Sequence, residues 1–102
     1  SLNLPAPTWF SGASYSVPLN IQFASNASGL PTGVTYIGTR IFRDGELIDT
    51  VTDNPSGTDY TDSGVAFGNT YQYTLVNVFD VDGSTQTVSS PDYSWVFLYG
   101  GS

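Results

Sequence analysis

The chain contains no cysteine, histidine, methionine or lysine. Without cysteine no disulfide can staple the fold. Without cysteine or histidine there is no ordinary zinc or haem site, no thiol nucleophile and no Ser-His-Asp relay. Without lysine there is neither a Schiff base nor a Lys–Asn cross-link. Positive charge is almost absent too: Arg40 and Arg43 stand against nine Asp and Glu, for a formal charge of −7. Such a field repels the phosphates of DNA and RNA and disfavours anionic membrane surfaces, so neither nucleic acid nor membrane is an expected partner. No apolar run approaches the roughly eighteen residues that a membrane-spanning helix needs. The missing Cys and Lys, with many Ser and Thr, point to an extracellular, cell-surface or virion-surface protein. The chain begins at Ser1 with no apolar signal region, as expected of a processed protein or an excised piece.

What is present suits strands. A length of 102 residues fits one domain spanning 1–102, and 39% hydrophobic residues, 15% aromatics, eleven Gly and six Pro suit short strands joined by tight turns. Residues 1–14 carry two prolines with Trp9 and Phe10, which predicts an edge strand. Val17, Leu19, Ile21 and Phe23 alternate with polar positions and predict a strand with one buried face. Turn-forming residues fill 25–33 and predict a mobile loop. Strands are expected over 34–43 and 46–52, joined by Asp44-Gly45, a dipeptide favoured where both central residues need positive φ. A loop follows at 53–57, then a short edge strand at 58–62. Tyr71, Tyr73, Leu75, Asn77 and Phe79 form one face of a long strand, and Asp82-Gly83 turns the chain into its partner over 84–90. Pro91 should kink that last strand. Beyond it Tyr93, Trp95, Phe97 and Tyr99 line one side of the final stretch, with Val96 and Leu98 on the other, so both sides want cover.

Seven strands in this order resemble the fibronectin type III domain, an immunoglobulin-like antiparallel β-sandwich, over residues 39–91. The most specific match is Val65-Ala66-Phe67-Gly68-Asn69-Thr70-Tyr71, which looks like that family's Leu-x-Pro-Gly-Thr-x-Tyr corner. The resemblance implies that Tyr71 makes a buried tyrosine-corner hydrogen bond to backbone a few residues upstream. Three departures stand out: Phe67 replaces the usual Pro, Phe23 replaces a Trp, and Asn77 occupies a site that is usually small. The family hosts adhesion modules, spacers in secreted enzymes and virion decorations, so the fold alone selects no function.

The motifs point away from catalysis. Arg43-Asp44-Gly45 is explained by its turn chemistry. Asp80 and Asp82 have a spacing seen in calcium loops, but six to eight oxygens are needed and the second half of such a loop is missing. Asp59 and Asp62 could add ligands, yet they more simply end a strand. Every acid falls in or beside a turn, with no cleft to hold a glycosidase pair about 5–9.5 Å apart. No enzyme, metal or cofactor is therefore expected. Asn26-Ala27-Ser28 satisfies the N-glycosylation pattern in an expected exposed loop. The terminal segments 1–14 and 92–102 are more apolar than a solvated linker tolerates. They suggest an assembly subunit of a filament, fibre or virion surface, contacting protein through Trp9, Phe10, Tyr93, Trp95, Phe97 and Tyr99. The alternative is a carbohydrate-binding or adhesive module. If Ile37, Thr39 and Ile41 point inward, then Tyr36, Arg40 and Phe42 form its ligand face.

Overall fold

A computed structural model describes residues 3–11, 19–52, 58–66, 68–89 and 94–97. All regular structure among them is β: β1 (Thr8–Ser11), β2 (Leu19–Ala24), β3 (Val34–Arg43), β4 (Glu46–Val51), β5 (Thr58–Asp62), β6 (Thr70–Val81), β7 (Ser84–Ser89) and β8 (Ser94–Phe97). Two antiparallel sheets result. One has the order β1-β2-β5, and the other runs β4-β3-β6-β7 with β8 also on β6. Both expected Asp-Gly turns form, with φ of 54° and 83° at Asp44 and Gly45, and 50° and 90° at Asp82 and Gly83.

The described residues thus hold eight strands, against an expectation of seven. The extra one comes from an interruption. Opposite β3, the same edge of β6 is paired with β7 at residues 76–81 and with β8 at residues 70–73. Between these two pairings β6 advances only through Thr74 and Leu75, whereas the other chain segment advances through residues 90–93. The unequal lengths break the ladder between Ser89 and Ser94. Pro91 falls in that interval, outside the described residues.

One buried cluster draws on both sheets: Leu19, Ile21 and Phe23 from β2, Ile41 from β3, Tyr73 and Leu75 from β6, and Val65 from the segment before β6. Burying each such side chain contributes about 1.5–3 kcal/mol. Alternation in β2 and β6 follows the expected faces. In β3 it does not.

Tyr36 pairs with Phe79 and Gly38 with Val78, so Ile37 is an extra residue that no partner faces. A bulge of this kind shifts the side-chain alternation by one position. Tyr36 is consequently turned inward and half-buried, with its ring 5.9 Å from that of Phe79, while Ile37 is turned out and 48% exposed. Both placements correct the sequence expectation, which extended one alternation through the whole strand. Thr39 and Ile41, beyond the bulge, are fully buried as expected. Gly38 suits this place because a Cβ there would lie 3.0 Å from the Val51 carbonyl oxygen of β4.

Asn77 explains the position where the resemblance expects a small residue. It is fully buried at the centre of β6. Its Oδ1 accepts from the Thr39 hydroxyl at 2.7 Å, and its Nδ2 donates to the carbonyls of Ser25 at 2.6 Å and Pro5 at 3.0 Å. Since the Thr39 hydrogen is committed to Asn77, Tyr36 supplies the hydrogen of the 2.5 Å Tyr36–Thr39 contact. The segment expected to be a mobile loop is therefore anchored at its start, with Ser25 and Ala27 buried. Asn77→Ala should lower the unfolding free energy by about 2–4 kcal/mol, because Thr39, Ser25 and Pro5 all lose a buried partner. An unchanged urea midpoint would show that the amide does not hold these segments.

Candidate functional site

Two groups of side chains stand out, a polar one at the end of the core and a largely apolar one on the outer face of the five-stranded sheet. The first is built from residues that close two strands, joined by Tyr73 of β6. Arg43 ends β3 with the inward parity of Ile41, and Asp62 ends β5 with the parity of Tyr60. Arg43 Nη1 contacts both Asp62 oxygens, at 2.8 and 2.7 Å. The Tyr73 hydroxyl donates to Asp62 Oδ2 at 2.6 Å, and the Gly64 N–H donates to Oδ1 at 3.0 Å. Both carboxylate oxygens thus carry two donors each, and the node ties one sheet to the other.

Burial by itself would raise the Asp62 pKa, but the hydrogen bonds from Tyr73, Arg43 and the Gly64 N–H outweigh it and hold the carboxyl below its ordinary value. The hydrogen bond to Asp62 moves Arg43 upward, and burial followed by Asp62 moves Tyr73 upward. Tyr60 is also raised, by burial and then by the charge of Asp49. A general base needs a lone pair aimed at a substrate, whereas this carboxylate is already saturated with internal donors. The arrangement is a clamp. In the sequence Asp62 reads only as a strand end or ligand, although two opposite charges at inward parity, Arg43 and Asp62, are a usable signal.

The Arg43 guanidinium also lies 5.9 Å from the centre of the Tyr71 ring. Tyr71 is half-buried rather than buried, and packs on the edge of the core. Its hydroxyl accepts from the Ala66 N–H at 3.1 Å and from Asn69 Nδ2 at 3.2 Å. Within Arg43-Asp44-Gly45, Arg43 is held by Asp62 and the Asp44 carboxylate accepts from the Gln72 N–H of β6 at 2.9 Å.

The second cluster faces away from the core. On β6 the residues Tyr73, Leu75, Asn77 and Phe79 are inward, which sends Thr74, Val76, Val78 and Asp80 outward. Arg40 lies opposite Val76, Phe42 opposite Thr74, and Leu47 of β4 opposite Phe42. Ile37 and Leu47 are 48% and 49% exposed, and Phe42 and Arg40 are half-buried. Of the three residues expected to form a ligand face, Arg40 and Phe42 are here and Tyr36 is not.

Elsewhere, the Asn26 amide donates to the Ala6 carbonyl at 2.9 Å and to Thr8 Oγ1 at 2.6 Å, latching the start of the chain onto the segment after β2. Pro7 is fully buried within that start. Trp9 and Phe10 belong to β1, where Trp9 pairs with Phe23 of β2 and Phe10 falls at a register shift, and Trp95 and Phe97 belong to β8 and pair along β6. Tyr93 and Tyr99 lie outside the described residues. Among the described residues no three Asp or Glu side chains are grouped to hold a metal ion. No helix there is long and apolar enough to cross a membrane.

No known protein family, curated protein or solved structure matches this chain.

Two outcomes follow from the clamp and its neighbour. Because the folded pKa of Asp62 is depressed, its stabilisation is present above the unfolded value of about 4 and is lost as pH falls through the folded value. The melting midpoint should therefore drop steeply in acid, and Asp62→Asn should start lower and lose part of that slope; equal slopes would assign the acid sensitivity to other carboxylates. Tyr71→Phe should cost about 0.5–1 kcal/mol for its two partly exposed hydrogen bonds, and an unchanged midpoint would show that the hydroxyl contributes nothing.

Proposed function

We propose that the chain is a non-catalytic assembly module outside the cytoplasm, a seven-stranded β-sandwich of the fibronectin type III and immunoglobulin-like kind. It makes protein contacts along a filament, fibre, cell surface or virion. Counting β7 and β8 as one interrupted edge strand supports seven. The sandwich reading is supported by the core that both sheets share. Placement of β4 on β3 departs from the constant-type immunoglobulin order, in which the fourth strand joins the other sheet.

The observation that carries the function is the outer face of the five-stranded sheet, where Leu47 is half exposed beside Phe42 and Ile37 is half exposed further along β3. Apolar surface of this kind on a sheet marks a place for protein contact. The terminal strands β1 and β8, each at a sheet edge, extend the same reading to Trp9, Phe10, Trp95 and Phe97. The carbohydrate alternative is weakened by the bulge, which removes Tyr36 from the face. A sugar platform relies on several rings presented flat.

Titration with soluble oligosaccharides, followed by amide chemical shifts, should leave Ile37, Arg40, Phe42 and Leu47 unmoved. Saturable shifts at those four amides would replace the assembly reading with sugar binding.

A further inference from the structure

The outer sheet face differs from the rest of the molecule in its charge. The chain carries −7, yet among the described residues this face holds one cation, Arg40, and one anion, Asp80. Two copies repel each other through most of their surfaces and least through this one. Arg43, the other cation, is already committed to Asp62. Among the described residues no acid pairs with Arg40.

The positions of the two charges matter as much as their sum. Arg40 sits opposite Val76, and Asp80 lies four residues further along the same strand, about 13 Å away at 3.3 Å per residue. Val78 is midway between them and is itself buried, so Ile37, pushed outward at the same level by the bulge, supplies the exposed apolar surface there. A face with a positive end, an apolar middle and a negative end is complementary to itself after a half-turn. The hydroxyls of Thr85 and Thr87 on β7 border it and pose no charge conflict.

We propose that this face pairs with the same face of a second copy, about a two-fold axis passing near Val78 and Ile37, so that Arg40 of each copy meets Asp80 of the other. The inference rests on the assembly reading and names its partner. Four strands about 4.8 Å apart and six residues in length give a flat area of roughly 380 Å², which belongs to the small, transient class of interface. The dimer is weak and exchanges rapidly.

Sedimentation equilibrium of the intact chain from micromolar to millimolar concentration tests this, with thermal melts to verify that each variant folds. Arg40→Asp and Asp80→Arg should each weaken dimerisation about tenfold, and the double exchange should restore it. Net repulsion alone predicts the opposite for Asp80→Arg, which moves the chain from −7 to −5. Ile37→Lys should abolish the dimer. A dimer untouched by Ile37→Lys and by both single exchanges overturns the two-fold pairing while leaving the assembly reading standing. A chain monomeric at millimolar concentration overturns the pairing as well, and the oligosaccharide titration then decides between assembly and sugar binding.

Discussion

The amide of Asn77 is the contact on which the architecture turns. A fully buried amide left without partners costs about 1–3 kcal/mol, so its surroundings must supply one donor and two acceptors in the right places. Here the partners come from three separate stretches: Thr39 on β3, itself bonded to Tyr36, then Ser25 after β2, and Pro5 near the start of the chain. Satisfying one side chain therefore fixes the position of the central strand pair, of the first sheet's exit and of the leading segment. Hydrophobic burial draws the sheets together, but it does not specify register at this level.

The Asp62 clamp plays the complementary part at the other end of the core. It joins the last residue of β3 to the last residue of β5, and so spans the two sheets where a disulfide would serve in a cysteine-containing domain. A cross-sheet ion pair of this kind depends on its shielding. Its Arg43 side chain is 20% exposed against 4% for Asp62, so the carboxylate is the partner whose desolvation the clamp must offset.

Much of the β architecture was legible in the residues because period-two alternation and Asp-Gly turns are local signals. β2, β4, β5 and β7 fall within a residue or two of their expected bounds, and both turns have the positive φ that the dipeptides require. What was not legible depended on contacts between distant segments. The bulge at Ile37 needs a partner strand before an extra residue has any meaning, and it reversed the expected facing of Tyr36 and Ile37. The anchoring of residues 25–27 likewise depends on Asn77 and on the leading segment, so turn chemistry alone made them look free. Of the expected ligand face, Arg40 and Phe42 kept their outward placement because they follow the bulge.

The Asn26 latch sets two chemistries against each other. Its amide nitrogen has two hydrogens, and the Ala6 carbonyl and the Thr8 hydroxyl take both. Attachment of a sugar at that nitrogen replaces one of them, so at most one of the two bonds survives. A glycan added while the chain is still unfolded would leave the leading strand half unfastened, whereas a chain that folds first hides the nitrogen from the transferase. The order of folding and modification, rather than the presence of the Asn26-Ala27-Ser28 triplet, would then decide which form of the molecule exists.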